Sequence, residues 1–277
     1  VVVVLTMHST QDHPSTPNKR LKDISKTLSS CHRILVHSVA DMNRLKDIGL
    51  GDNVTLFPHG LIENSAAPRE EARGDARGPY LLASYGFFLP HKGLHTLIRA
   101  VGLLRKDGVD VRLRMVNAEY AIPQSRQLID EARELITNLG LDLHVELHTE
   151  FLEDQASLEL LTEADLIVFP YEDTGESSSA AVRHGIAAER PVAVTPLPIF
   201  DDVREAVFEL PGHDAESVSV GIRNLLAELA MNSELARQKA TDAERWRAAH
   251  QQKRLSARLE RMLKALHVKH HRDSWLG

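Results

Sequence analysis

Cysteine is nearly missing: Cys31 is the single one in 277 residues. One thiol excludes an internal disulfide framework and suits a reducing cytoplasm. Cys31 follows a helical pattern and precedes an apolar strand, a place for a buried structural thiol rather than a nucleophile. Positive charge is not in surplus either. The formal net charge is -6, so no general affinity for nucleic acid is expected. No apolar run approaches the roughly 20 residues of a membrane-spanning helix. The apolar start, Val1 to Leu5, is too short for a signal peptide and has no basic leader. What remains is ordinary for a globular protein: 43% hydrophobic and 26% charged residues. The length suits one large or two ordinary domains. The chain opens on VVVVLTMH without an initiator Met. Four valines read as a buried strand that wants neighbours on both sides, so a preceding piece of the protein is expected to be missing.

The rest is arranged around Leu166 to Ile199. Leu166 to Phe169 is an apolar, β-rich run. A polar loop follows, then Ser177, Ser178 and Ser179, then a helical pattern over Ala180 to Ala188. Pro191 to Val194 closes the unit as a second strand. This is a βαβ unit, and ligands of such sheets sit beyond the carboxyl ends of the strands. The free N–H groups that open the helix favour an anion such as a phosphate. The same serines also serve as a plain helix cap, which needs no ligand. Glu176, just before the helix, either stabilises its dipole or faces a neutral part of a ligand, such as a sugar hydroxyl.

In chain order, Val1–Thr6 is predicted as a strand, residues 18–30 as a helix and Arg33–His37 as a strand. Ser38 caps a helix over Asp41–Ile48, and Val54–Phe57 is a third strand ended by Pro58-His59-Gly60. Residues 62–78 carry charge, Ala, Gly and Pro without apolar period and read as a linker. A second series begins with a strand over Tyr80–Tyr85. It continues with helix Leu94–Arg105, strand Val111–Val116, helix Gln124–Leu139, strand Leu143–Leu147 and helix Gln155–Thr162. After the central unit come a strand over Ala206–Leu210, a helix over Ala215–Leu229 and one long charged helix over Ser233–Leu266. Trp246, Leu259 and Leu263 are its expected anchors. The tail histidines His267, His270 and His271 read as solvated rather than metal-binding, since nothing fixes a ligand geometry. Alternating strands and helices, twice over, mean two α/β domains with parallel sheets.

Two stretches carry a resemblance. One is Ser84-Tyr85-Gly86-Phe87-Phe88-Leu89-Pro90-His91-Lys92-Gly93-Leu94. The other is Glu176 to Val192. Together they resemble the carboxyl-terminal domain of the retaining family 4 glycosyltransferases. That family runs a strand into Gly-Arg-x-x-x-x-Lys-Gly, then later Glu, seven residues, Glu, and a helix ending in Gly-x-Pro-Val. Here Gly86, Lys92 and Gly93 match, and Glu176 matches the first acid. Phe87 stands in place of the arginine and His184 in place of the second acid. Pro58-His59-Gly60 resembles the end of the family's first domain, and the last helix resembles the one that crosses back to it.

The resemblance implies an α/β GT-B fold of two doubly wound Rossmann-like domains, the first incomplete. Residues 1–61 would be the carboxyl-terminal part of the acceptor-side domain and 62–78 the linker. Residues 79–232 would be the donor domain and 233–277 the returning helix and tail. It implies a retaining, metal-independent hexosyltransferase that needs no cofactor and uses a nucleotide-diphosphate sugar as substrate. The acceptor would be a glycan, a lipid-linked species or a protein. His8, Lys92 and Glu176 would be the catalytic residues. The donor would meet Gly86, Phe87, Lys92, Phe151, Leu152, Glu176, Ser177, Ser178, Ser179, Ala180 and His184. Lys92 would hold the diphosphate, Glu176 the sugar hydroxyls and Thr149 to Leu152 the base. Arg183 is the candidate substitute for the lost arginine. No Asp-x-Asp is placed to hold a metal. A bacterial, cytoplasmic protein of polysaccharide synthesis is expected, and membrane contact through the missing part is left open. A rival reading is a non-catalytic nucleotide-sugar-binding or assembly subunit. A GT-B epimerase or phosphorylase is disfavoured, because no pyridoxal lysine site is evident.

Overall fold

A computed structural model describes residues 1–12, 19–64, 78–172, 174, 176 and 178–273, with side chains to residue 269. The chain forms two compact units. The first is Val1–Leu61 with Gly175–Ser179 and Ala249–Gly277; the second is Ile62–Thr174 with Ala180–Ala248. Most of the expected linker, residues 65–77, lies outside the described residues.

The first unit is built on a parallel sheet of order β1-β2-β3, with β1 Val4–Met7, β2 Arg33–Val36 and β3 Val54–Leu56. Its helices are α1 Ser25–Ser29, preceded by a 3₁₀ turn at Leu21–Ile24, and α2 Val39–Asp47. Ser38 caps α2 by accepting from the Asp41 N–H, as its position in the sequence predicts. Leu28, Ile34, Val36, Leu45, Leu50 and Val54 make the core. The strand expected over Val1–Thr6 is shifted to Val4–Met7. It lies at the sheet edge and is at most half-buried along its length. The expected helix over residues 18–30 is also shorter, and Ile24 of its stripe is exposed.

The second unit has β4 Tyr80–Phe87, β5 Val111–Ala118, β6 Val145–His148, β7 Leu166–Phe169, β8 Val192–Val194 and β9 Phe208–Glu209. They form one parallel sheet of order β6-β5-β4-β7-β8-β9. Its helices are α3 Leu94–Lys106, α4 Pro123–Asn138, α5 Asp154–Thr162, α6 Ala180–Ala187, α7 Ala215–Ala230 and α8 Glu234–Ala249. Leu94, Leu97, Ile98, Val101 and Leu104 form one stripe of α3 and are all buried. β7 is buried at all four positions, which is why it reads as a continuous apolar run. The strand order reverses between β4 and β7. That makes the carboxyl ends of these two strands the crevice of a doubly wound sheet.

Two expectations at the carboxyl end need correction. The long helix over Ser233–Leu266 is two helices, α8 and α9 Gln252–Asp273, separated at His250 and Gln251. α8 belongs to the second unit to Ala248 and α9 to the first. Charged residues on both sides of the break hide it from any apolar period. Trp246 is buried, its indole N–H donating to the Asp202 carbonyl at 3.1 Å. Leu263, however, is exposed; Leu255 and Leu266 are the buried leucines of α9. The strand expected over Ala206–Leu210 is only Phe208–Glu209. A 3₁₀ segment over Pro198–Ala206, not foreseen, precedes it.

Candidate functional site

The switch point is built by glycines that let two connections approach. Gly93 has φ +63°, and a Cβ there would lie 1.8 Å from the Pro170 carbonyl oxygen. Only glycine fits both demands. Gly86 has φ +128°, and its Cβ would meet Cβ of Ala181, in the first turn of α6, at 3.3 Å. The Glu172 N–H donates to the His91 carbonyl at 2.9 Å, and the Thr96 hydroxyl donates to the Glu172 carboxylate at 3.2 Å. The turn after β4 is therefore locked to the start of the connection that leaves β7.

Lys92 sits in that turn, Pro90–Lys92, and is 8% exposed. Its Nζ lies 4.0 Å from the centroid of the Tyr171 ring. A lysine at a helix start is ordinarily solvated; here burial and a ring face hold the ammonium in place. Tyr171 is itself buried, and Thr195 donates to its carbonyl at 2.8 Å.

His184 is half-buried on α6. Its ring stacks on Tyr85 with centroids 4.6 Å apart, and Nε2 lies 3.1 Å from an Asp154 carboxylate oxygen. Burial pushes the Tyr85 phenol up from its ordinary value; the hydrogen bond with Ser157 opposes this, and the Asp154 charge adds to it. Arg183, the candidate substitute for the family arginine, is buried and ion-paired with Asp202. Burial pulls its guanidinium down, and the Asp202 charge and hydrogen bond push it back up.

Phe87 turns the end of β4 into part of an aromatic row. Its ring meets Tyr120, after β5, edge-on with centroids 5.0 Å apart. It also stacks towards Phe151, after β6, at 6.3 Å. Phe151 is 69% exposed and Tyr120 44%, so the row offers ring faces to solvent. Leu152 beside it is half-buried.

The other expected residues fall as follows. Ala180 opens α6 and is exposed. Glu176 is exposed, Ser178 half-buried and Ser179 buried, all in the short segment grouped with the first unit. Ser177 lies outside the described residues, as do the side chains of His270 and His271. His8 directly follows β1 and is exposed.

Tyr120, Asp154 and Tyr171 are missed by sequence reasoning. Each lies within a few residues after a strand or at a helix start facing the crevice end of the sheet, and that position was the available signal. None belongs to a motif, so nothing in the residue types drew attention.

A doubly wound parallel sheet with its glycine-built switch point defines an α/β protein with the fold of the GT-B glycosyltransferases. The family described as Glycosyl transferases group 1 matches residues 79–228, more than half of the chain. The chain belongs to that family. No curated protein matches it. Among solved structures it is similar to a glycosyltransferase from Rickettsia africae ESF-5, with a TM-score of 0.73 at 15% identity over 95% of this chain and 70% of that one. Sucrose-phosphate synthase from Thermosynechococcus elongatus gives 0.73 at 18% identity, over 96% and 68%. Anabaena HepE in complex with UDP and glucose gives 0.70 at 14%, over 95% and 71%. Among the described residues, no helix is long and apolar enough to cross a membrane.

Proposed function

We propose that the chain transfers a hexose from a nucleotide-diphosphate sugar to a glycan, lipid-linked or protein acceptor, with retention of configuration. The observation that carries this reading is the buried Lys92 at the switch point, in a turn locked to the connection after β7. A fixed cation there, with the amino-terminal end of α6 beside it in the crevice, suits a diphosphate. The complex of HepE with UDP and glucose supports a donor of this kind.

The parts then take complementary roles. The aromatic row of Phe87, Tyr120 and Phe151 stacks the base, since every base has a π-face. His184 and Asp154 together offer the donor and acceptor atoms that a ribose diol needs, so the acid lost at position 184 is supplied from α5. Glu176 binds hydroxyls of the donor sugar, and Ser178 and Ser179 directly precede α6. As the bond between the anomeric carbon and the diphosphate oxygen breaks, the acceptor oxygen bonds to the same face. The acceptor proton passes to the departing phosphate. Lys92 and the α6 N–H groups stabilise the charge that develops there, and no metal or protein nucleophile is assigned to the step.

A second reading, a donor-binding subunit without transfer, is favoured by two observations: Arg183 is ion-paired with Asp202, and Phe87 stands where the family has an arginine. Calorimetric titration with a panel of nucleotide diphosphates tests both. One diphosphate is expected to bind, and Lys92→Ala should weaken it by about 1.5–3 kcal/mol, the value of a charged hydrogen bond. No binding to a demonstrably folded chain overturns the donor site. Binding without sugar transfer to any acceptor, and without donor hydrolysis, favours the subunit.

A further inference from the structure

The carboxyl ends of the three strands of the first unit carry histidines. His8 directly follows β1, His37 directly follows β2, and His59 lies three residues beyond β3. The His37 and His59 rings stack with centroids 3.6 Å apart. His8 lies 5.0 Å from the first and 5.6 Å from the second. One ring nitrogen from each falls within 4.8 Å of the others. The parallel register does this: three adjacent strands end level, and each delivers an imidazole to the same place.

The buried member is oriented. His37 is 4% exposed and its Nδ1 lies 2.9 Å from the Phe57 carbonyl oxygen. A carbonyl only accepts, so Nδ1 carries the proton and Nε2 keeps the lone pair. A backbone carbonyl on the far nitrogen is the usual way a ligating histidine is held. His59 is half-buried and His8 is exposed. A tetrahedral zinc with bonds of about 2.0–2.1 Å spaces its nitrogens by roughly 3.4 Å. The rings must therefore close by about an ångström or so, with the stacked pair turning slightly.

We propose that His8, His37 and His59 form a three-nitrogen site for a divalent late first-row transition ion, zinc above all. Neutral imidazoles suit zinc, copper or nickel and not magnesium or calcium, which want oxygen ligands. Three protein ligands leave a fourth position open for water or an anionic oxygen. As a ligand, His8 would hold this cation rather than meet a donor sugar directly. The site goes beyond the transfer reading and does not rest on it.

The test uses the whole chain, stripped with a chelator, and zinc(II) titrated against a chromophoric competitor, with cobalt(II) as a spectroscopic probe. One equivalent is expected to bind, with the intense d–d absorption of low-coordinate cobalt. Replacing His267, His270 and His271 together with alanine should leave that binding in place. His8→Ala and His59→Ala should each weaken it at least about tenfold. Both positions are exposed or half-exposed, and circular dichroism confirms that the variants fold. No stoichiometric binding to the folded chain overturns the proposal. So does binding that survives His8→Ala and His59→Ala, or that disappears with the tail histidines.

Discussion

Both units present the carboxyl ends of parallel strands, yet they arm those ends differently. In the second unit the ends of β4, β5 and β6 carry Gly86-Phe87, Tyr120 and Phe151, and a buried lysine follows. In the first they carry three imidazoles. One set offers glycine-built closeness, ring faces and a fixed positive charge, which suit the proposed nucleoside diphosphate. The other offers neutral nitrogen lone pairs. The architecture decides where a ligand goes, and the few residues past each strand decide what it is. The second unit also closes a six-stranded sheet around a large core, whereas the first has three described strands and a half-exposed edge. The first unit also holds a buried polar network around Asp41.

The sharpest way to break this contrast is to compare two glycines with positive φ. In Gly93→Ala the new Cβ meets a carbonyl oxygen at 1.8 Å, and that oxygen is backbone and cannot fold away. The turn and the β7 connection must separate. Urea denaturation should show a loss of about 3 kcal/mol or more, together with loss of nucleotide binding. At Gly49, φ +85° after α2, nothing lies within 4 Å. Gly49→Ala should cost only the conformational strain, about 1 kcal/mol. Equal losses would show that the switch point is not the constrained place.

Asp41 tests the polar network of the first unit. Fully buried, it accepts from Thr10 at 2.5 Å, Ser38 at 2.7 Å and Arg44 at 2.8 Å. Asp41→Ala leaves these donors without their acceptor and should cost about 3 kcal/mol by chemical denaturation. A change under about 1 kcal/mol would mean that the apolar core carries this unit alone. Phe151→Ala comes next in size. The ring is mostly exposed, so stability should hardly move, while affinity for a nucleotide should fall by about 1 kcal/mol, the low end for base stacking. A variant that binds every nucleotide as before would remove Phe151 from the base site.

Much of this was legible in the sequence, because the second unit writes its periods clearly. β7 was readable to the residue, and Leu97, Ile98, Val101 and Leu104, the apolar stripe of α3, are all buried. Gly86, Lys92 and Gly93 were marked by the resemblance to the family motif, and the structure gives a reason for Gly93 in the contact with Pro170 and for Lys92 in the turn that holds it. What escaped is what depends on distant pieces meeting. Tyr171 under Lys92, Asp154 beside His184 and the commitment of Arg183 to Asp202 each join residues that no local pattern links. The three histidines escaped for the same reason: His8, His37 and His59 are far apart in the chain, and strand register alone unites them. The split between α8 and α9 escaped because neither helix carries a strong apolar stripe across the break.

The smallest effect concerns the rim of the second sheet, where Arg114 on β5 bonds Glu146 on β6 at 2.8 Å and Glu163 at 2.6 Å. Partial burial raises the Glu146 carboxyl. The hydrogen bond and charge of Arg114, helped by His148, more than offset this and hold it below its ordinary value of 4.5. A depressed carboxyl stabilises the fold above its unfolded-state value, and that stability is lost as pH falls through the folded-state value. Glu146→Gln should therefore be less stable than the parent by a roughly constant amount above about pH 5.5, with the gap closing below about pH 4.5. Glu146 is half-exposed, so the gap should stay under about 1 kcal/mol. Denaturant midpoints measured from pH 3.5 to 7 read it directly. A gap that widens towards acid would place the dominant interaction elsewhere.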